Sequence, residues 1–432
     1  MSSTNSRLIF HIGHHKTGST AIQEAFATGH VAVEGKRILY TARLGHNYLV
    51  KHFETYGQQG RVLKGARGAP GLSELSDLLR AGGFDYAVFS AEEFERADPA
   101  AFYQVLQTFF LPHVDETVVA CYVRPHAART LSSYAEQVKL GLFDEDLQAF
   151  HTRLAAGGRL AYAGHLARWS EIFGARFQAR PMVRDLLEQG SVVHDFARLA
   201  FGAQAQIAVT EGAAANESLC LEDLVLLRHI QSSMKRHSRP LRHALGWNMA
   251  IGLAAQHRRG SGTRLVLHRS LAEDIRRSYL EDARALDAGI FAAQPVMERE
   301  LDRAVDLAAA EPQSLEPSDH FGADALRSIS VMAEMMSDML DNAGEDWRGF
   351  LNRRRMAGVH ADAPAAPAQD EPGRKRGGRK GGARKVGPGK GKAGKGGAGK
   401  AGAARKGGEL RKAGRKAGGG KRGAGKAAPA ES

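Results

Sequence analysis

Leu8-Ile9-Phe10-His11-Ile12-Gly13-His14-His15-Lys16-Thr17-Gly18-Ser19-Thr20 is the stretch that decides how this chain folds. It begins with a short apolar, β-favouring run closed by a glycine, which predicts a buried strand. A polar loop punctuated by Gly13 and Gly18 follows, and Ala21-Ile22-Gln23-Glu24-Ala25-Phe26 continues with the spacing of a helix. Strand, glycine loop and helix together aim backbone N–H groups and a helix N-terminus at an anion. The expectation is a phosphate- or sulfate-binding loop.

The loop also narrows its ligand. The common nucleotide loop places a lysine directly after its second glycine. Here that position is Ser19, and the lysine is Lys16, inside the loop. A nucleoside triphosphatase uses the later lysine on the β- and γ-phosphates, with a hydroxyl on Mg²⁺. This loop can cradle an anion and place one cation near a bridging oxygen, but it suits Mg-ATP poorly.

Further along, Phe84 to Ser90 reads as a strand, and Glu92 and Glu93 stand just beyond its carboxyl end, where open α/β sheets bind ligands. The two carboxylates equally suit the start of a helix. Thr117-Val118-Val119-Ala120-Cys121-Tyr122-Val123 is a continuous apolar run typical of a buried parallel strand. Arg124 stands at its end, and Ser132 follows eight residues later. An arginine at a strand end and a serine on the next helix can converge on one phosphate through a charge-assisted pair and a hydroxyl.

The run from His11 to Gln23 resembles the 5′-phosphosulfate loop of sulfotransferases, enzymes that use 3′-phosphoadenosine 5′-phosphosulfate (PAPS). Arg124, Arg129, Ser132 and Tyr134 match that family's 3′-phosphate motif, whereas Pro125 falls one place early. Ser90-Ala91-Glu92 imperfectly resembles a further element, and His46 matches a histidine frequent in the bacterial members. Asn216-Glu217-Ser218-Leu219 resembles another recurring element. The resemblance covers residues 7–235, and more loosely the helical segments to about 295. It implies an α/β fold with a P-loop-type parallel sheet flanked by helices. It also implies transfer of a sulfuryl group from PAPS to a hydroxyl or amine acceptor, of the carbohydrate or lipid class, without a metal. The donor-binding residues would be His15, Lys16, Thr17, Gly18, Ser19, Thr20, Arg124 and Ser132. Lys16 would be catalytic, with Glu92 preferred as the base, then His46, then Glu93. The alternatives are an atypical P-loop nucleotide kinase and a nucleic-acid-associated protein acting through a basic tail.

That tail dominates the charge. The chain of 432 residues carries a net +13, but residues 371–432 hold 20 Lys and Arg against 3 Asp and Glu, a net +17, so the remainder is −4. The segment from about 358 is rich in Lys, Gly and Ala with almost no large apolar side chains, so it cannot offset ordering entropy by burial and is expected to be disordered. It is expected to attract polyanions nonspecifically, in a salt-dependent way. The organisation expected is a sulfotransferase-like domain over 1–300, a helical extension over 301–357 and the tail over 358–432. Residues 57–71, rich in Gly, Arg and Lys, read as a mobile loop. A stripe of Leu326, Ile329, Met332, Met335 and Met339 reads as core or a helix–helix contact. Two cysteines, Cys121 and Cys220, read as core thiols rather than a disulfide or metal framework. The longest apolar-leaning run, 244–255, is shorter than the about 20 residues a spanning helix needs, and no secretory leader is visible. A soluble cytoplasmic protein is the expectation.

Overall fold

The structure is a computed structural model, and its described residues are 6–210, 219–256, 262–342 and 346–361. Seven strands are present among them: β1 (Arg7–His11), β2 (Val31–Val33), β3 (Ile38–Leu39), β4 (Tyr86–Ser90), β5 (Glu116–Val123), β6 (Phe177–Pro181) and β7 (Ile207–Val209). Five form one parallel sheet in the order β3-β4-β1-β5-β6. The β2 and β7 strands pair antiparallel beside it. The opening stretch therefore supplies the central strand.

The apolar run on β1 is continuous because both faces of the strand are covered. Leu8 and Phe10 point into one core with Phe53, Phe89, Phe102 and Trp169. Ile9 points into the other with Ile22, Phe26, Tyr122 and Phe196. Period-two alternation assigns the neighbours on one strand to opposite cores. Phe10 stacks on Phe89 with ring centroids 5.1 Å apart and meets the edge of Phe102 at 5.3 Å. The stacked pair is cross-strand and favours the register that sets Phe10 beside Phe89, with Val119 on its other side.

Register puts His11 level with Ser90 on one side and Ala120 on the other. The carboxyl ends of β1, β4 and β5 thus open together onto one edge of the sheet. The chain crosses over β1 between β4 and β5, which leaves the crevice at this edge where such sheets accept ligands.

The helical C-terminal part is shown too. Helices Leu221–Ser233, Arg239–Gln256, Ala323–Asn342 and Trp347–Ala361 enclose a third core built on Ile230, Met234, Leu245, Ala333 and Leu351. The methionine stripe is a correction. Met332, Met335 and Met339 are exposed, at 60%, 59% and 63%. The face that packs inward is Ile329, Ala333, Met336, Ser337 and Leu340, one step around the helix. The boundary expected at residue 300 falls inside the helix Val296–Asp306. All the described residues belong to one unit spanning Met1–Gln369, and the second unit, Asp370–Ser432, lies outside them. Residues 57–71 contain the end of the helix Leu49–Gln59 and a turn in which Ala66 and Ala69 exchange both backbone hydrogen bonds at 2.9 Å. Cys121 is buried, and Cys220 is half-buried, accepting from the Asp223 N–H at the start of its helix.

No helix among the described residues is long and apolar enough to cross a membrane.

Candidate functional site

The glycine loop runs from Ile12 to Gly18 and feeds the helix Ser19–Ala27. Its first glycine leaves no room for a side chain without a shift of the backbone beside it. Gly13 has φ +89°, and a Cβ there would stand 2.6 Å from the Glu92 carbonyl oxygen and 2.7 Å from the Glu92 Cα. Its own carbonyl accepts from the Tyr122 N–H at 3.2 Å. The loop is therefore wedged between the exits of β4 and β5. Gly18, at φ +82°, is similarly tight, because a Cβ would meet Val192 Cγ1 at 2.7 Å.

Two hydroxyls lock the turn. Thr17 Oγ1 donates to the His14 carbonyl at 2.5 Å and Ser19 Oγ to the same oxygen at 3.3 Å. Both side chains are buried, so Thr17 and Ser19 can meet a ligand only through their amides. The N–H groups of Gly18, Ser19 and Thr20 donate to no carbonyl or side chain among the described residues. They are the free donors of a helix start. With the positive end of the helix behind them, they can hold an anion.

Lys16 adopts φ +65°, a left-handed backbone that costs a non-glycine residue about 1–2 kcal/mol. Its carbonyl accepts from Arg124 Nη1 at 2.7 Å, and the same nitrogen lies 3.1 Å from Ser132 Oγ. The strained lysine is thus held by the strand-end arginine, and the loop, Arg124 and Ser132 form one constellation. Arg124 and Ser132 converge as the spacing requires despite the early proline. Pro125 ends the strand and precedes the helix His126–Lys139, and its carbonyl accepts the Arg129 N–H at 2.8 Å. Burial and the nearby Arg129 charge lower the basicity of Arg124, which marks a cation in want of a counter-charge.

The Lys16 ammonium meets Glu136 at 3.1 Å, and Glu136 also takes Lys139 at 2.5 Å. Burial raises the Glu136 carboxyl, but the charges of Lys16 and Lys139 and their hydrogen bonds outweigh it and hold it low. Lys139 in turn lies 3.6 Å from the centroid of Trp247, and the Arg355 guanidinium lies 4.1 Å from the same ring. Arg355 brings the last described helix into the field of Glu136, Glu24 and Glu92.

Glu92 opens the short helical turn Glu92–Arg96 directly after β4. Its side chain is 27% exposed and stands 3.8 Å from His15 Nδ1. Burial raises its pKa, opposed by His15 and Lys16 and reinforced by Glu93 and Glu136. A carboxylate held above its ordinary range beside a lysine is suited to taking a proton. Glu93 is 55% exposed, and its Oε2 is 3.9 Å from His15 Nε2.

His46 is enclosed against the end of β4. It is fully buried, with its Nδ1 accepting from the Ser90 N–H at 3.2 Å and its Nε2 within 3.1 Å of Thr41 Oγ1. Its own N–H donates to the Ser90 carbonyl at 2.7 Å. Burial pushes its pKa down to about 3, against the Ser90 bond. Both ring nitrogens are in use and the ring is neutral, so His46 braces the end of β4 two residues before Glu92.

Three charged residues of the site escaped the sequence reading. Glu95 accepts the His15 N–H at 3.2 Å and Arg129 Nη2 at 2.9 Å, and so ties the loop to the helix His126–Lys139. Glu136 sits one helical turn beyond Ser132, and that four-residue spacing on one helix face was the available signal. Lys139, three residues beyond Glu136 on the same helix, carried the same kind of signal. Asn216, Glu217 and Ser218 lie outside the described residues. No group of three or more His, Cys, Asp or Glu among the described residues is arranged to hold a metal ion.

No family model, curated protein or solved structure matches this chain.

Proposed function

We propose that this protein transfers a sulfuryl group from PAPS to a hydroxyl or amine acceptor, on a sheet of the P-loop type. The observation that carries this reading is the meeting of Arg124, Ser132 and the Lys16 carbonyl within one hydrogen-bonded cluster. A donor bearing phosphate groups at both the 3′ and 5′ positions needs two anion sites at a fixed separation, and the two motifs are 108 residues apart in sequence yet adjacent in space. The 5′-phosphosulfate would lie on the free amides of Gly18 to Thr20, and the 3′-phosphate on Arg124 and Ser132. Both contacts would fix the sulfur for in-line attack.

The acceptor oxygen would form the new bond to sulfur while the bond from sulfur to the bridging phosphate oxygen breaks. Glu92 would take the acceptor's proton. Lys16 would leave Glu136 and face the bridging oxygen as that atom gains charge. His46 and Glu95 would be positioning residues, holding the β4 exit and the loop. A nucleotide kinase remains the weaker reading, since Ser19 stands where its lysine would be and turns its hydroxyl into the loop.

The test is thermal stabilisation by adenosine 3′,5′-bisphosphate without metal, against adenosine 5′-phosphate and Mg-ATP. A ligand bound only by the folded chain raises stability by RT ln(1 + [L]/Kd). Stabilisation by the bisphosphate alone supports the reading. Equal stabilisation by adenosine 5′-phosphate, or a preference for Mg-ATP, overturns it.

A further inference from the structure

A cleft of about 470 Å³ opens beside the β4 exit, lined by Arg43, Gly45, Tyr48, Arg67, Gly68 and Met356 among others. Its volume is within the range of small-molecule sites, about 300–1,000 Å³. Three connections tie it to the candidate site. Gly45 packs on Gln23 of the loop helix so closely that a Cβ there would stand 2.6 Å from the Gln23 side chain. Gln23 Nε2 in turn donates to the Ser90 carbonyl at 3.4 Å. On the far wall, Met356 lines the cleft while its neighbour Arg355 lies in the field of Glu92.

The chemistry of the cleft is set by its arginines. Arg43 and Arg67 are exposed, and neither is within ion-pair distance of a carboxylate among the described residues. Residues 41–73 hold five Lys and Arg against Glu54 alone, although the chain before the tail is net negative. Arg67 is not carried on a loose segment. The reciprocal Ala66–Ala69 bonds pin the turn, and Gly68 at φ +75° takes its left-handed corner. Arg67 therefore projects from the tip of a bonded turn, with Gly68 against Arg43: a Cβ on Gly68 would stand 3.7 Å from Arg43 Nε. Two unpaired guanidinium groups across one small cleft match a carboxylate or phosphate in fork geometry.

We propose that this cleft binds the acceptor and that the acceptor carries an anionic group of its own, a carboxylate or a phosphate ester, held by Arg43 and Arg67. The acceptor role rests on the sulfuryl-transfer reading above; the anion preference does not. The negative group anchors one end of the molecule, and the hydroxyl to be modified reaches past Gly45 toward Glu92.

The experiment measures direct binding to the full chain by calorimetry, so that it does not depend on turnover. The probes are p-nitrophenyl β-glucuronide against p-nitrophenyl β-glucoside, and glucose 6-phosphate against glucose. At least one charged member should bind about tenfold or more tightly than its neutral partner, the scale of one charge-assisted contact. The pair that shows the preference distinguishes a carboxylate from a phosphate. The double variant Arg43→Ala/Arg67→Ala should abolish the difference while its melting temperature and its stabilisation by adenosine 3′,5′-bisphosphate stay as in the parent. Equal binding of charged and neutral probes overturns the proposal. So does a preference that survives the double substitution, since the charge is then read elsewhere, the basic tail included. Failure of the bisphosphate to stabilise the parent would sink the donor reading and leave the cleft's preference standing or falling on its own data.

Discussion

Arg124 Nη1 donates to the Lys16 carbonyl at 2.7 Å. One bond thereby joins the end of β5 to the loop after β1, and it fixes a lysine whose backbone is left-handed. The arginine serves the loop's shape as well as any anion placed on it. Removing it should act on both.

Arg124→Ala should weaken binding of adenosine 3′,5′-bisphosphate about ten- to hundredfold, the effect of losing a charged hydrogen bond worth about 1.5–3 kcal/mol. Ser132→Ala, which removes a neutral hydroxyl, should cost less. Calorimetric titration of both variants checks the order. An unchanged affinity in Arg124→Ala would place the 3′-phosphate elsewhere.

Lys16→Ala should lower turnover far more than donor affinity, because its charge matters most as the bridging oxygen becomes negative. Glu136→Gln should weaken the hold on the lysine while leaving Lys16 its charge, and so should alter kcat less than Lys16→Ala does. Single-turnover rates beside binding constants separate the two. Loss of affinity with intact turnover in Lys16→Ala would make Lys16 a binding residue only.

Glu92→Gln should abolish the acid limb of the rate profile together with most activity. Because burial raises the Glu92 pKa, the parent should lose activity on acidification at a pH above the ordinary glutamate value near 4.3. The carboxyl must be ionised to accept a proton, so activity is present above that pKa and lost below it. Near-full activity in Glu92→Gln would remove Glu92 as the base.

Gly13→Ala should destabilise the fold and displace Glu92 together. A left-handed alanine costs of order 1–3 kcal/mol, and the added Cβ meets backbone rather than a movable side chain. Denaturant unfolding measures the first effect and kcat the second. A variant of parental stability would show that the loop can pull away from β4.

Stability itself should fall as the pH drops from about 6.5 toward 3. His46 and His11 are both held neutral down to about 3, chiefly by burial, His11 with the added repulsion of His14. Over that window the unfolded chain binds protons that the folded chain refuses, so acid favours unfolding by up to about 1.4 kcal/mol per pH unit for each ring. His46→Gln should reduce the slope of stability against pH by one proton's share. An unchanged slope would mean that His46 is charged in the fold.

The local parts of this architecture were legible in the sequence. The continuous apolar run of β1, the glycine loop and the Arg124-to-Ser132 spacing are short-range patterns, and the strands expected over 84–90 and 117–123 appear within two residues of their places. Early Pro125 was readable as a departure, and the helix beginning at His126 accounts for it. What stayed hidden depends on distant partners. Nothing near Glu136 in sequence announces Lys16, and nothing near Arg355 announces Trp247. The methionine stripe failed for a related reason: helical period defines faces, but only the neighbouring helices decide which face is buried. His46 matched a family position, yet its burial under Ser90 follows from packing alone.

Trp247 gives the site an optical readout. Indole emission responds to nearby charge, and this ring has Lys139 and Arg355 within 3.6 and 4.1 Å. Of the chain's other two tryptophans, Trp169 is sealed in the core and Trp347 sits at the start of the last described helix. Lys139 shares Glu136 with Lys16, so a lysine that turns from Glu136 to a bound phosphate changes the field at the indole. Donor binding should therefore shift the intrinsic fluorescence of the unlabelled protein, and Trp247→Phe should silence that shift.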